Sequence, residues 1–205
     1  WGWSGKEWGY TAPEVVIEGS RIKDGSMSMN VPINQEGDIS NVVNNAPWME
    51  VAKGEIGVSE IPGPQHNPRI LEYHSTTGKF KDDETPWCSS FCNWVMIKSG
   101  YMGTGSANAL SWKNWGVKLI KPVYGSIGVI DWGGGKGHVG FVVGKKGDKI
   151  VLLGGNQSNK VKYSVFSFSV FMSFHVPIGY HIPQKDYNLK EIEIKEDIKH
   201  SFLTR

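Results

Sequence analysis

The chain has 205 residues, 39% of them hydrophobic and 20% charged, with a formal net charge of +2. That is enough chain for one good core or two small ones. The near balance of charge gives no electrostatic case for a nucleic-acid partner, and no apolar run approaches the roughly 18 residues that span a bilayer. Glycine (26 residues) and tryptophan (9 residues) are abundant, which suits short strands and tight turns better than long helices. The chain opens on Trp1 rather than Met, the start expected of a processed or trimmed product, and no signal peptide is visible in it.

Residues 1–45 include WGWSGKEWGY and DGSMSMNVPINQEGDISNVVNN, where neither a helical nor a strand period persists. They read as an irregular arm whose tryptophans cover an apolar edge. The compact domain is expected over 46–180. APWMEVAKGEIG reads as a helix with Pro47 in its first turn and Trp48, Val51, Ala52 and Glu55 on successive turns. After the IPGPQ loop, HNPRILEYH reads as a second helix, with Asn67 as N-cap and Pro68 as its first residue. The loop KFKDDETP leads to a third helix, whose stripe is Cys88, Phe91, Cys92, Val95 and Met96 and whose end is Gly100. A shorter helix is expected around SWKNWGVKL. From about Ile127 the period changes: GVIDW, HVGFVVG, KIVLLGG and VKYSVFSFSV read as strands split by glycine-rich turns. Residues 181–205 form a charged tail, with KEIEIKEDIKH read as an edge strand or helix. Helices followed by antiparallel strands make the fold class α+β.

Both cysteines lie in TPWCSSFCNW, four residues apart. A bridge between them would strain a helix, and a zinc site would need two further ligands that the six histidines do not supply at paired spacing. Two readings stay open from this segment: a pair of inert buried thiols, or a nucleophile beside a packing residue. In the second, Cys88 sits at a helix N-terminus, where the helix dipole lowers a thiol pKa, and Cys92 packs among Phe91, Val95 and Met96.

A thiol nucleophile needs an imidazole and a group to orient it. His138 follows the glycine-rich turn of WGGGKGHVGFVVG, at the mouth of an apolar strand, where bare backbone lets a substrate approach. The bland alternative is a histidine that merely begins a strand. If the hairpin turns at KKGD, its register puts His138 opposite Asn156, give or take one residue, and the Asn156 side-chain oxygen can accept from one ring nitrogen.

The chain order Cys, His, Asn resembles the papain-like arrangement. More narrowly, PWCSSFCNW, GTGSANALSWKNWG, GHVGFVVG and LLGGNQ, in this order, resemble the NlpC-type and CHAP (cysteine, histidine-dependent amidohydrolase/peptidase) superfamily. The branch is one found in phage lysis proteins and secreted bacterial hydrolases, which also carries an NPRILEYH-like segment. The resemblance spans roughly residues 46–180. It implies a papain-like α+β fold, with N-terminal helices packed on a small antiparallel sheet, and hydrolysis of amide bonds in peptidoglycan. It implies Cys88 as nucleophile, His138 as base and Asn156 as orienter. Many relatives carry Glu two residues before the Asn; here that position is Gly154, which leaves Asp131 or Glu72 as the acids that would have to approach from elsewhere. Tyr73 and His74 are the candidates for a second oxyanion donor, and with Trp87, Ser106 and Asn108 they make up the expected substrate-binding set. Trp112 and Trp115 read either as cleft or as core. Some relatives bind calcium, but the adjacent acids of KDDET lack the alternating spacing of a calcium loop and read as solvated. No cofactor and no metal are expected.

Beyond the chemistry, a catalytic domain with a non-catalytic arm suits an antibacterial effector that a type VI secretion system delivers into a rival's periplasm. Its partners would be peptidoglycan, the secretion apparatus and a cognate immunity protein. The alternatives are a phage-type endolysin, an acyl or peptidyl transferase using the same thiolate and imidazole, and a non-catalytic wall-binding module whose tryptophans stack on sugars.

Overall fold

The computed structural model describes residues 46–194; the N-terminal arm and the end of the tail lie outside the described residues. Three helices come first: α1 (Trp48–Gly54), α2 (Pro68–His74) and α3 (Cys88–Lys98). Pro47 caps α1 with φ −60°. At α2 the Asn67 side chain accepts from the Arg69 N–H, and Pro68 fills the first helical position, where its missing N–H costs nothing. Gly100, at φ +80°, follows the end of α3, a backbone turn that favours glycine.

The six strands are β1 (Val117–Leu119), β2 (Ile127–Gly133), β3 (Lys136–Lys146), β4 (Lys149–Gly154), β5 (Lys162–Ser167) and β6 (Phe171–Val176). They form one sheet in the order β1-β6-β2-β3-β4-β5, and every pairing is antiparallel. The class is therefore α+β, compatible with a papain-like arrangement. The shorter helix expected around SWKNWGVKL splits: Ala109–Asn114 is a 3₁₀ turn, and Val117–Leu119 is edge strand β1. Strand β6 is an addition. VFSFSV does not run on as one strand, because Phe168–Val170 makes a 3₁₀ turn between β5 and β6.

The sheet is buried on both faces. Val129, Val139, Phe141, Val151 and Leu153 pack with α1, α2 and α3 in the larger core. Ile130, Val142, Ile150, Leu152 and Phe174 form a smaller core, beneath Phe166, Phe171 and Leu189. In the segment after Tyr180, Ile192 and Ile194 pack against the larger core, and Glu191 makes an isolated parallel β-bridge with Lys145.

Helix α3 is not the one-sided stripe its spacing suggests. Every residue from Cys88 to Met96 is buried. Its polar face is buried too, and its groups are paired. Ser89 Oγ donates to the Ser106 carbonyl (2.6 Å), Ser90 Oγ meets His74 Nδ1 (3.0 Å) and Thr77 Oγ1 (2.7 Å), and Asn93 Nδ2 donates to the Ser89 and Ser106 carbonyls. Buried polar groups are tolerated when they are paired in this way.

The loop KFKDDETP, expected to be solvated, is a staple instead. Asp83 is fully buried. Its Oδ2 accepts from the N–H groups of Ile61 (2.9 Å) and Asn67 (2.8 Å), and its Oδ1 meets His66 Nδ1 at 3.1 Å. Burial alone would raise its pKa, but the Asn67, Ile61 and His66 donors outweigh that and hold it below the usual carboxylate value. Asp82 caps the Thr85 N–H at 2.7 Å. Replacing Asp83 with Ala strands two backbone donors, so Asp83→Ala is expected to lower unfolding free energy by roughly 3 kcal/mol in urea titrations.

Candidate active site

Cys88 is the first residue of α3, and Trp87, in the N-cap position, offers no side-chain cap. The uncapped N–H groups of Cys88 and Ser89 therefore turn toward the thiol, and the Val139 N–H of β3 meets it from the sheet. The thiol is only 6% exposed. Burial pushes its pKa up to about 11, against the pull of these three N–H groups. The expected lowering by the helix dipole is thus overturned: desolvation of a thiolate outweighs the N-terminal donors. Cys92, one turn on, is fully buried in the larger core, where burial first and Cys88 second raise its pKa well above the ordinary thiol value.

His138 precedes Val139 on β3, and strand alternation puts its ring on the opposite face from Val139 and Phe141. It is 1% exposed. Burial lowers its pKa to about 4, and a hydrogen bond with Gln157 opposes the shift without cancelling it. At neutral pH the site therefore rests as a thiol and a neutral imidazole.

The orienting contact falls one residue beyond Asn156. The β3–β4 hairpin pairs Phe141 with Leu153 and Val142 with Leu152, the expected register, which would carry on to place Asn156 opposite His138. The ladder stops short of that. Gly155 turns under α3, and Asn156, Ser158 and Asn159 all adopt left-handed backbone (φ 53°, 54° and 60°). This tight loop brings Gln157 to the ring, with Gln157 Oε1 3.1 Å from His138 Nε2. The other end of the amide is fixed, because Gln157 Nε2 donates to the Lys162 carbonyl. The oxygen must then face the ring, so Nε2 carries the proton and Nδ1 is left with its lone pair. Among the described residues Nδ1 has no hydrogen-bond partner, so the ring and the Cys88 thiol are brought to adjacent residues of β3 without being joined by a hydrogen bond.

Gly154 explains why a carboxylate is not needed to fill this space. A Cβ built there would lie 3.4 Å from His138 Nε2 and 3.1 Å from Gln157 Oε1, so Gln157 occupies room that a longer side chain at 154 would use. Neither Asp131 nor Glu72 substitutes for it. Asp131 accepts from the Gly133 N–H, and Glu72 is engaged by Arg69, Trp94 and Lys98.

Three of the expected substrate contacts lie in the core instead. Tyr73 is fully buried with its hydroxyl donated to Glu55 Oε2 (2.5 Å); His74 is fully buried against Ser90; Trp87 is fully buried with Nε1 donated to Glu60 (2.9 Å). The Tyr73 hydroxyl and the Trp87 indole N–H are committed, and His74, whose Nε2 has no hydrogen-bond partner among the described residues, is enclosed in the core with them. Ser106 and Asn108 lie on the loop beside α3. Ser106 holds Ser89 and Asn93 through its carbonyl, and Asn108, which is exposed, caps the 3₁₀ turn through the Leu110 N–H. Trp112 is core, its Nε1 donated to Ser89 Oγ at 2.8 Å. Among the described residues, no three His, Cys, Asp or Glu side chains are grouped to hold a metal ion, and no helix is long and apolar enough to cross a membrane.

Residues 80–156, from the loop before α3 to the end of the His138 hairpin, match the CHAP domain family. This segment of the chain is similar to a CHAP domain. The match holds Cys88 and His138 and stops one residue short of Gln157. CHAP domains are typically cysteine-dependent amidases and peptidases of peptidoglycan, and the match suggests peptidoglycan hydrolysis as a general activity. No curated protein matches the chain at a significant level. Hairpin register reached Gln157 only as the neighbour of Asn156 within LLGGNQ and did not single it out.

The buried neutral imidazole links stability to pH. Its folded pKa lies below the ordinary histidine value, so the unfolded chain binds a proton that the fold refuses. The contribution is present above about pH 6.5 and is lost as pH falls to about 4. Unfolding free energies from urea titrations at pH 7.5 and 4.5 are expected to differ by an amount on the order of 3 kcal/mol more in wild type than in His138→Asn.

Proposed function

We propose that this CHAP domain cuts amide bonds of peptidoglycan, in the stem peptide or at the sugar–peptide junction, with Cys88 as nucleophile, His138 as base and Gln157 as the positioning residue. The observation that carries the reading is the fixed Gln157 amide, which leaves the lone pair of Nδ1 unused on a buried, neutral imidazole, one residue before the Val139 N–H that meets the Cys88 thiol. The thiol proton passes to Nδ1 as sulfur attacks the amide carbonyl. The Cys88 and Ser89 N–H groups face the developing oxyanion. The imidazolium then protonates the leaving amine, the C–N bond breaks and an acyl-thioester remains. Water, deprotonated by Nδ1, attacks that thioester and releases the carboxylic acid and the thiol.

Cys88→Ala is expected to abolish fragment release from purified peptidoglycan, read by mass spectrometry, while Cys92→Ala retains it. Cutting by both Cys88→Ala and wild type would remove the thiol from the mechanism. Gln157→Ala is expected to lower kcat by roughly ten- to a hundredfold, because misplacing a reacting group costs that much. Asn156→Ala is expected to have the smaller effect, and the reverse order would restore Asn156 as orienter. Because the reactive form pairs a neutral imidazole with a thiol, the acid limb of kcat/KM is expected near pH 4 rather than near the ordinary histidine value.

We further propose that the enzyme acts as an antibacterial effector, delivered by a type VI secretion system into the periplasm of a target bacterium and neutralised in the producer by an immunity protein. The physical support is compartmental: a peptidoglycan amide is reached only from outside the cytoplasmic membrane. Expression with an export signal is expected to lyse cells and cytoplasmic expression is not; harmlessness in both compartments would sink the effector role.

A further inference from the structure

An aromatic row starts at the candidate base and runs to the surface. The Phe166 ring lies 5.6 Å from the His138 ring on one side and 6.5 Å from the Trp132 ring on the other. Phe166 is half-buried, whereas Trp132 is 37% exposed although it ends a strand that begins in the core. Directly after Trp132 come Gly133, Gly134 and Gly135, at φ +80°, +61° and +79°. Among the described residues, a Cβ built on any of the three meets nothing within 4 Å, so this stretch is bare backbone. Asp131 and Lys136, both exposed, stand at its two ends.

A flat aromatic face, a rim of accessible backbone amides and a charged group on each side do not suit an aliphatic side chain, which gains most in an enclosed apolar pocket. They suit a ligand that is itself amphipathic: one flat face of C–H groups to lie on the indole, and hydroxyl and amide groups at its edge to meet the backbone. In peptidoglycan the component with that chemistry is the N-acetylated hexosamine of the glycan strand. We infer that Trp132, backed by Phe166 and flanked by Gly133–Gly135, is a saccharide subsite that seats the glycan next to His138. This rests on the hydrolase reading above and narrows it: the preferred amide is one still attached to sugar.

Two measurements on the full chain test the subsite and separate it from the hydrolase reading. In the first, Cys88→Ala protein is titrated calorimetrically with peptide-free glycan strands, with and without Trp132→Ala or Trp132→Phe. Binding that Trp132→Ala weakens about tenfold and Trp132→Phe largely keeps is the expected result. No binding of glycan by Cys88→Ala, or equal binding by all three proteins, overturns the subsite. In the second, kcat/KM is compared on a disaccharide-linked stem peptide and on the same peptide without sugar. Wild type is expected to favour the linked substrate, and Trp132→Ala to lower that preference about tenfold. An unchanged ratio overturns the subsite by showing that Trp132 serves only the placement of His138. If wild type cuts neither substrate while glycan binding depends on Trp132, the hydrolase reading fails and the subsite stands.

Discussion

The site depends on how closely the start of α3 approaches the end of β4. A Cβ built on Gly155 would lie 2.6 Å from a ring carbon of Trp87 and 2.7 Å from Phe91 Cβ, closer than real contacts allow. Only a glycine lets the strand end slide under the helix at that point. The approach brings the Cys88 thiol onto the Val139 N–H, and it makes the chain leave the β3 ladder just before the residue that would have faced His138. One missing side chain thereby bears on both the position of Cys88 and the loop that carries Gln157.

Desolvation then decides the electrostatics. A thiol and an imidazole that are both nearly inaccessible to water, and oriented by an amide instead of a carboxylate, have no fixed negative charge to favour an imidazolium. Burial drives the two pKa values apart, up for Cys88 and down for His138, and the resting pair is uncharged. The helix start contributes N–H donors that can serve a charge once it forms, but they do not create one in the resting state. Gly154 belongs to the same design. It leaves open the space beside Nε2 that Gln157 fills, so the amide and the empty position are one feature seen from two residues.

The core around the site shows a related economy. Ser89, Ser90 and Asn93 lie on the buried central helix, yet each is hydrogen-bonded to a loop or a neighbouring helix. Asp83 does the same for the loop before α3, gathering Ile61, His66 and Asn67 around one carboxylate. These polar anchors, more than apolar packing alone, fix the loops on either side of Cys88.

Periodicity and turn chemistry made much of this legible without coordinates. Asn67-Pro68 marks a helix start whatever surrounds it, the change of period after Ile127 marks the sheet, and the Gly147 turn sets the hairpin register that brings residues near 156 to His138. Local sequence likewise separates Cys88, at a helix start, from Cys92, one turn inside. It could not reveal which side of α3 is buried, because Ser89, Ser90 and Asn93 find their partners on segments distant in the chain. Burial is also a property of the assembled fold, so the direction of the Cys88 shift, and the withdrawal of Tyr73, His74 and Trp87 into the core, could not be read from their neighbours. By itself the sequence determined the residue types, their order and the strand register, because those follow from local geometry and spacing. The tertiary structure alone decided that Gln157 and not Asn156 meets the ring, because three left-handed residues and the close pass of Gly155 beneath α3 redirect the chain after the ladder ends.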